Sequence, residues 1–226
     1  MNDPSTLVVD IGGSHVKALV SGETEPRAFR SGPELTAVSF ADRLRALVSG
    51  WSFDRVALGY PGPVAANRAA EEPANLGDGW MEYDFAGLFH LPTLVLNDAA
   101  LQALGSDQGG RMLFLGLGTG LGSALVLDGL LHPTELAHLP YRKKRSYEEY
   151  LGEAARHRRG NKRWRTSVQD VVELLSHGLQ VDYVVLGGGN ARRARRVKFR
   201  VDVRFGSNRN AFLGGFRAWE RGLGRS

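Results

Sequence analysis

The chain has 226 residues and carries 29 basic against 24 acidic side chains, for a net charge of +5; that length suits one large domain or two small lobes with a real core. It contains no cysteine, which excludes disulfides, thiolate zinc sites and cysteine nucleophiles. No apolar stretch approaches the ~20 residues of a membrane helix, and the opening MNDPSTLVVDIGG lacks the basic region and apolar length of a signal peptide, so a cytoplasmic protein with no membrane partner is expected.

Residues 7–20, LVVDIGGSHVKALV, read as two short apolar strands joined at Gly12-Gly13-Ser14, a β-hairpin, with a polar turn after it at 21–25. Residues 35–48 carry Val38, Leu44, Leu47 and Val48 at helical spacing until Gly50 stops them. A strand at 56–59 enters the rigid turn Tyr60-Pro61-Gly62-Pro63, and 65–80, which includes Asn75, reads as a loop. Residues 94–96 form a buried strand ending on Asn97-Asp98, and a helix follows over 99–104. Sheets of α/β proteins place ligand chemistry at such strand ends.

Residues 105–111 read as a hinge. Beyond it, 113–129, LFLGLGTGLGSALVLDG, repeats the hairpin pattern with Gly116, Gly118, Gly120 and Gly122 at its tip. It aligns with 7–20 without gaps, Gly12 on Gly118 and Ala18-Leu19-Val20 on Ala124-Leu125-Val126. The repeat predicts an α/β fold with a duplicated lobe, 1–105 and 106–226, whose two glycine tips face one ligand. A polar loop over 133–138 and a short helix over 146–156 come next. A second helix over 168–179 has Val168, Val171, Val172, Leu175 and Leu179 on one stripe. A strand at 183–186 leads into the turn Gly187-Gly188-Gly189-Asn190, and a helix over 210–222 closes the chain, with Gly214-Gly215 permitting close packing.

The basic excess is clustered at 142–145 (RKKR), 156–165 (RHRRGNKRWR) and 192–200 (RRARRVKFR). Such runs are solvated faces or attract a polyanion: a nucleotide, a polyphosphate or a nucleic acid. No recognition helix or RNA-binding motif accompanies them, so a nucleic-acid partner is not expected.

The tips Gly12-Gly13-Ser14 and Gly118-Thr119-Gly120 can each offer backbone N–H groups and a hydroxyl to phosphate oxygens, with Lys17 adding charge beside the first. Each alone is an ordinary turn; as an aligned pair they read as a phosphate clamp. Neither the dinucleotide fingerprint nor the GxxxxGK[ST] loop is present. Asp10 is placed either to hold Mg²⁺ through water or to satisfy turn N–H groups. Asp98 is a candidate general base for phosphoryl transfer to a hydroxyl, although spacing alone favours it as a helix N-cap. Asn97, Glu135, His138 and Glu148 are side chains of the kind that read sugar hydroxyls, if they converge.

Taken in order, these motifs resemble the repressor/open-reading-frame/kinase (ROK) sugar kinases of the actin-like ATPase superfamily, most closely the polyphosphate-glucokinase type. DIGGSHVK at 10–17 resembles the family's first phosphate motif and GLGTGLGSAL at 116–125 its second. Asn97-Asp98-Ala99-Ala100 resembles its NDAD catalytic motif, TELAHL at 134–139 its ELGH sugar motif, SYEEYLG at 146–152 its second sugar-binding segment, and GGGN at 187–190 its nucleotide-side turn.

The resemblance implies two duplicated ribonuclease H-like lobes around a central cleft, phosphorylating glucose from ATP or inorganic polyphosphate. Asp98 would be the base, and Asn75, Asn97, Glu135, His138 and Glu148 would hold the sugar. Gly12, Gly13, Ser14, Lys17, Gly118, Thr119, Gly120, Gly187, Gly188 and Gly189 would hold phosphate or nucleotide, with Mg²⁺ near Asp10, no zinc, and a homodimer as the assembly. Departures are Ser14 for Thr, Ala100 for the second Asp, and Ala137 for a glycine, which would strain that turn if it requires φ > 0. The short segment after Gly189 reduces the adenosine side and favours polyphosphate running along 192–200. The competing readings are a sugar-binding sensor without phosphotransfer, and a kinase for mannose or an N-acetylhexosamine.

Overall fold

The computed structural model describes residues 4–207 and 209–225. The chain divides into two compact units, Met1–Leu101 with Ala211–Ser226, and Gln102–Asn210. In the first, β1 (Thr6–Ile11) and β2 (His15–Val20) form the expected hairpin, Leu7 opposite Val20 and Ile11 opposite Val16. β3 (Arg27–Arg30) adds to β2 antiparallel. α1 (Ala37–Leu47) follows, capped by the Thr36 hydroxyl, which accepts from Ser39 N at 3.3 Å. β4 (Arg55–Tyr60) lies parallel to β1; after a small ribbon of β5 (Val64–Ala65) and β6 (Arg68–Ala69), β7 (Thr93–Asn97) lies parallel to β4. The sheet order is β3-β2-β1-β4-β7.

α1 exists where 35–48 predicts it, but its buried stripe is Ala37, Phe40, Ala41 and Leu44, and Val38 is 67% exposed. The i, i+3, i+4, i+7 spacing of that set explains the choice. Phe40 meets Trp80 at 5.1 Å, and Tyr60 and Phe85 complete an aromatic cluster under the sheet. Trp80 is fully buried, so the otherwise irregular 65–80 stretch is anchored at its end. α2 (Asp98–Ser106) runs through Gly105, where a hinge is predicted. Gly105 serves close approach: a Cβ there would stand 1.8 Å from Asn210 O.

The second unit repeats the plan. β8 (Arg111–Leu117) and β9 (Leu121–Leu127) are the second hairpin, and β10 (Leu130–Thr134) extends it. Pro133 sits in β10, the sheet's edge, where a missing N–H is tolerated. A small ribbon of β11 (Pro140–Arg142) and β12 (Arg145–Ser146) precedes α3 (Glu148–Leu151) and α4 (Glu153–Leu179). β13 (Tyr183–Gly187) lies parallel to β8; after α5 (Ala191–Ala194), β14 (Val203–Phe205) lies parallel to β13. The order β10-β9-β8-β13-β14 matches the first sheet strand for strand.

The helix predicted at 146–156 is instead broken at Gly152, whose extended backbone (φ −64°, ψ 165°) lets Glu153 N donate to Thr119 O at 3.0 Å. The basic run 156–165 is helical, bent at Gly160 (φ 75°, ψ 157°). Trp164, Val168, Val171 and Val172 are fully buried on α4, and each such side chain contributes about 1.5–3 kcal/mol. The closing helix α6 (Asn210–Glu220), placed by the sequence reading in the second lobe, packs with the first unit: Gly215 lies on Val8, and Trp219 Nε1 donates to Val56 O at 3.2 Å. Among the described residues no helix is long and apolar enough to cross a membrane.

Gly105→Ala should overpack the contact with Asn210 and destabilise the fold by about 1–3 kcal/mol, read as a lower midpoint in denaturant unfolding. An unchanged midpoint would show that the approach of the Asn210 carbonyl is not a close-packed constraint.

Candidate active site

β1, β4 and β7 are parallel, so their C-terminal ends share one edge of the first sheet. Register pairs Asp10 with Gly59 and Gly59 with Leu96, which sets Asp10 two strands, about 10 Å, from the start of Asn97-Asp98. At the first tip Gly12 N donates to His15 O at 3.0 Å, the Ser31 hydroxyl donates to Gly12 O at 2.5 Å, and Ser31 N donates to Ser14 O at 3.0 Å. Ser31, which directly follows β3, thus fixes the tip and leaves Gly13 and Ser14 exposed. Ser31 carries no signal in the sequence, because its role depends on strand pairing. Asn75 lies against the tip, its Cβ 3.4 Å from where a Gly13 Cβ would be. Lys17 faces Asp10 across the hairpin. Burial pushes the Asp10 carboxyl above the usual carboxylate range, and Lys17 opposes that shift in part.

Asn97, not Asp98, caps α2. Its Oδ1 accepts from Ala99 N at 2.8 Å, and its Nδ2 donates to Gly62 O at 2.9 Å. The N–H two residues along is within reach of Asn97, whereas Asp98 is already the first helical residue. The capping duty that spacing assigns to Asp98 is therefore done by its neighbour. Asn97 also ties the strand end to the Tyr60–Pro63 turn.

In the second unit three elements converge on one tip. Gly118 N donates to Gly120 O at 3.1 Å, closing the Gly118-Thr119-Gly120 turn. Glu148, at the start of α3, accepts from Leu121 N at 3.0 Å, and a Cβ on Gly120 would stand 2.3 Å from its Oε2. The turn Gly187-Gly188-Gly189-Asn190 lies on the same hairpin: buried Asn190 donates from N to Leu117 O at 2.9 Å and from Nδ2 to Gly118 O at 3.3 Å. Gly188 has φ 79° and no space for a Cβ beside Leu117. Glu135 and His138, both exposed, flank a 3₁₀ turn at Leu136–His138 that is tied to β9 by Leu136 N donating to Ser123 Oγ at 3.1 Å. Ala137 does not have positive φ and is buried, so this turn does not require a glycine.

Beside the glycine turn a pocket of about 360 Å³ is lined by Gly188, Gly189, Arg192, Arg195 and Phe205, among others. The Arg195 guanidinium lies 4.8 Å over the Phe205 ring. Phe205 was not a predicted site residue, since β14 is too short to read from its pattern. Arg165 Nε donates to Arg193 O at 3.1 Å, and Gln169 Nε2 to Lys198 O at 3.0 Å. Residues 193–198 therefore run alongside α4, joining two of the three basic clusters; the third, at 142–145, is the β11–β12 tip.

The repeated strand order and paired glycine tips define the class, an α/β protein of two duplicated actin-like ATPase lobes, the fold of solved ROK sugar kinases. The chain superposes on the inorganic polyphosphate/ATP-glucomannokinase of Arthrobacter sp. strain KM with a TM-score of 0.81 and 23% identity, covering 98% of this chain and 99% of that one. It superposes on a ROK family glucokinase from Streptomyces griseus, solved with glucose and AMPPNP, with a TM-score of 0.68 and 17% identity over 93% and 97% of the two chains.

No family model matches the chain. In sequence it is 27% identical to the polyphosphate glucokinase of Mycobacterium leprae over 205 residues, 83% of this chain and 60% of that protein. It is also 27% identical over 209 residues to the polyphosphate glucokinase of Mycobacterium tuberculosis, 82% and 78% of the two. The chain thus spans less than two thirds of the M. leprae protein. The resemblance to ROK-family sugar kinases of the polyphosphate-glucokinase type, drawn from the motifs, is supported by these matches in sequence and fold.

Among the described residues no group of three or more His, Asp or Glu side chains could enclose a metal ion. Asp10 nevertheless suits the magnesium such kinases use. Its carboxyl faces Lys17 across the first hairpin, and magnesium keeps several waters and takes one or two carboxylates plus phosphate oxygens.

With its carboxyl raised by burial, Asp10 binds its proton more tightly folded than unfolded. It costs stability increasingly as pH rises through the carboxylate range, and the cost persists above it. Asp10→Asn should therefore raise the thermal midpoint near neutral pH, the gain shrinking in acid, while lowering any phosphotransfer. A midpoint at or below wild type near neutral pH would contradict the buried-charge account.

Proposed function

We propose that this chain is a glucokinase, transferring a phosphoryl group from polyphosphate or ATP to the 6-hydroxyl of glucose. The observation that carries the reading is the order of residues at the β7 end, where Asn97 caps the helix and Asp98 follows it as the first helical residue at the C-terminal edge of the sheet. In the reaction the Asp98 carboxylate takes the proton of the 6-hydroxyl as its oxygen bonds to the terminal phosphorus. The bridging P–O bond breaks, leaving ADP or a polyphosphate one unit shorter. Asn97 retains a second Nδ2 hydrogen for a sugar oxygen, and Asn75, Glu135, His138 and Glu148 complete sugar recognition. The Gly12-Gly13-Ser14 and Gly118-Thr119-Gly120 tips, with Lys17, bind the transferring phosphates, and the Gly187–Gly189 turn the donor's next units. Magnesium at Asp10, bound through water, would neutralise charge on the donor.

For the donor, the pocket chemistry favours polyphosphate. Arg195 covers the one aromatic face in the pocket, Phe205, which an adenine would need. Neither Arg192 nor Arg195 makes an ion pair with a described acidic residue. A homodimer in the cytoplasm accompanies this reading.

Asp98→Asn preserves shape and removes the base, so kcat should fall by ~10²–10⁴-fold with the sugar KM little changed. Near-normal turnover would sink the assignment, and glucose binding without product from either donor in the wild type would point to a sensor. Replacing Arg192 and Arg195 together with Ala should raise the KM for polyphosphate about tenfold, and far more than that for ATP, the polyphosphate KM being the more salt-sensitive because exposed charge is screened over ~10 Å at 0.1 M. Equal effects on both donors would contradict the polyphosphate preference.

A further inference from the structure

Residues 140–146 leave the second unit's fold between two proposed sugar-binding side chains, His138 and Glu148, and return. Their base is closed by Tyr147 N donating to Leu139 O at 3.1 Å. Their tip costs backbone strain, since Lys143 and Lys144 both have positive φ, 52° and 59°, a two-residue turn that ordinarily takes Asn and Gly. The excursion is held by one residue of α4. Tyr141 donates its hydroxyl to Asp170 Oδ2, and Arg142 Nη2 reaches the same oxygen at 2.8 Å. The Tyr141 ring stacks on Tyr147 at 5.1 Å and meets Tyr150 edge-on at 5.0 Å, while Arg142 lies 5.0 Å over the Tyr141 ring and Arg159 4.5 Å over Tyr150.

Tyr147 immediately precedes Glu148 and is itself buried, so the stack transmits the position of Asp170 to the glutamate. On the other side Leu139, bonded to Tyr147, immediately follows His138. The α4 carboxylate therefore sets both ends of the segment at once. Charge-assisted hydrogen bonds of this kind are short and directional, and here two donors share one acceptor.

Resting on the glucokinase reading, we infer that Asp170 is a positioning residue for sugar recognition: through Tyr141 and Arg142 it fixes the spacing of His138 and Glu148 without touching the sugar. Glu148 Oε2 also accepts from Leu121 N at 3.0 Å, a contact that restrains the end of the side chain, while the ribbon sets the backbone that carries it.

The test compares the full-length wild type with Asp170→Ala, Asp170→Asn and Tyr141→Phe. It measures kcat, the KM for glucose, the KM for the donor, and hydrogen exchange at the 139–147 amides. Asp170→Ala should raise the glucose KM about tenfold with kcat and donor KM within about twofold, and should speed exchange at the Tyr147 amide. Asp170→Asn, which still accepts the Tyr141 proton, should recover part of the loss, and Tyr141→Phe, which keeps the ring stack, should show a smaller rise. An unchanged glucose KM in both Asp170→Ala and Tyr141→Phe overturns the inference. So does a donor KM that rises as much as the glucose KM, the mark of a general structural loss. A wild type that phosphorylates no hexose would sink the proposed function; the exchange data still decide the staple, and unchanged exchange in Asp170→Ala overturns it.

Discussion

The pair of hydrogen bonds made by Asn97 is the interaction on which the strand-end geometry of the first unit depends. One side chain accepts from Ala99 N and donates to Gly62 O, so it starts α2 and anchors the neighbouring turn together. An N-cap is worth about 1 kcal/mol to a helix. Its larger consequence here is positional: the residue after it, Asp98, enters the helix at the end of a parallel strand without being the cap. The sheet order places Asp10 and the first glycine tip on that same edge. Two carboxylates, Asp98 and the half-buried Asp10, and a glycine turn thereby stand along one line of strand ends.

The second unit solves a matching problem with different side chains. Its tip is bounded by Glu148 on one side and by Asn190 on the other, and both contacts depend on glycines. Gly120 leaves room for the carboxylate, and Gly188 turns the chain back onto Leu117. A donor phosphate held there would meet backbone N–H groups, with Arg192 and Arg195 supplying charge in the adjoining pocket. The two sheets share one strand order, yet the first tip is held by the hydroxyl of Ser31, just beyond β3, and the second by a helix carboxylate and a buried amide. Duplication preserved the hairpin and let its supports diverge.

Much of this was legible in the sequence. The two hairpins, with their tips at Gly12 and Gly118, follow from apolar runs interrupted by glycine, and the gapless alignment between them anticipated two sheets of one order. Elements set by tertiary pairing were not legible: β3, β11, β12 and β14 are short and polar or mixed, and their strand character comes from partners distant in sequence. The helix at 146–156 was misread because Gly152 resembles a tolerated helix glycine; its extended backbone follows from the Thr119 carbonyl, which no local pattern reveals. At the site, residue types identified Asp98 and Asn97 as a pair. Which of them caps the helix required geometry, because both are good N-cap residues and only the start of the helix separates their roles. The positioning role of Asp170 was equally hidden, since one of three acids on a largely basic helix reads as surface charge until Tyr141 and Arg142 are seen to meet it.

The central claim is that these elements serve one reaction, phosphorylation of a hexose at its primary hydroxyl. Its most direct measurement is phosphorus NMR of the purified chain with glucose, magnesium and either polyphosphate or ATP, followed as product accumulates. The account predicts a glucose 6-phosphate resonance growing in step with loss of the donor's terminal phosphate, and faster with polyphosphate. Donor hydrolysis to free phosphate alone, or no hexose phosphate with either donor, would contradict it.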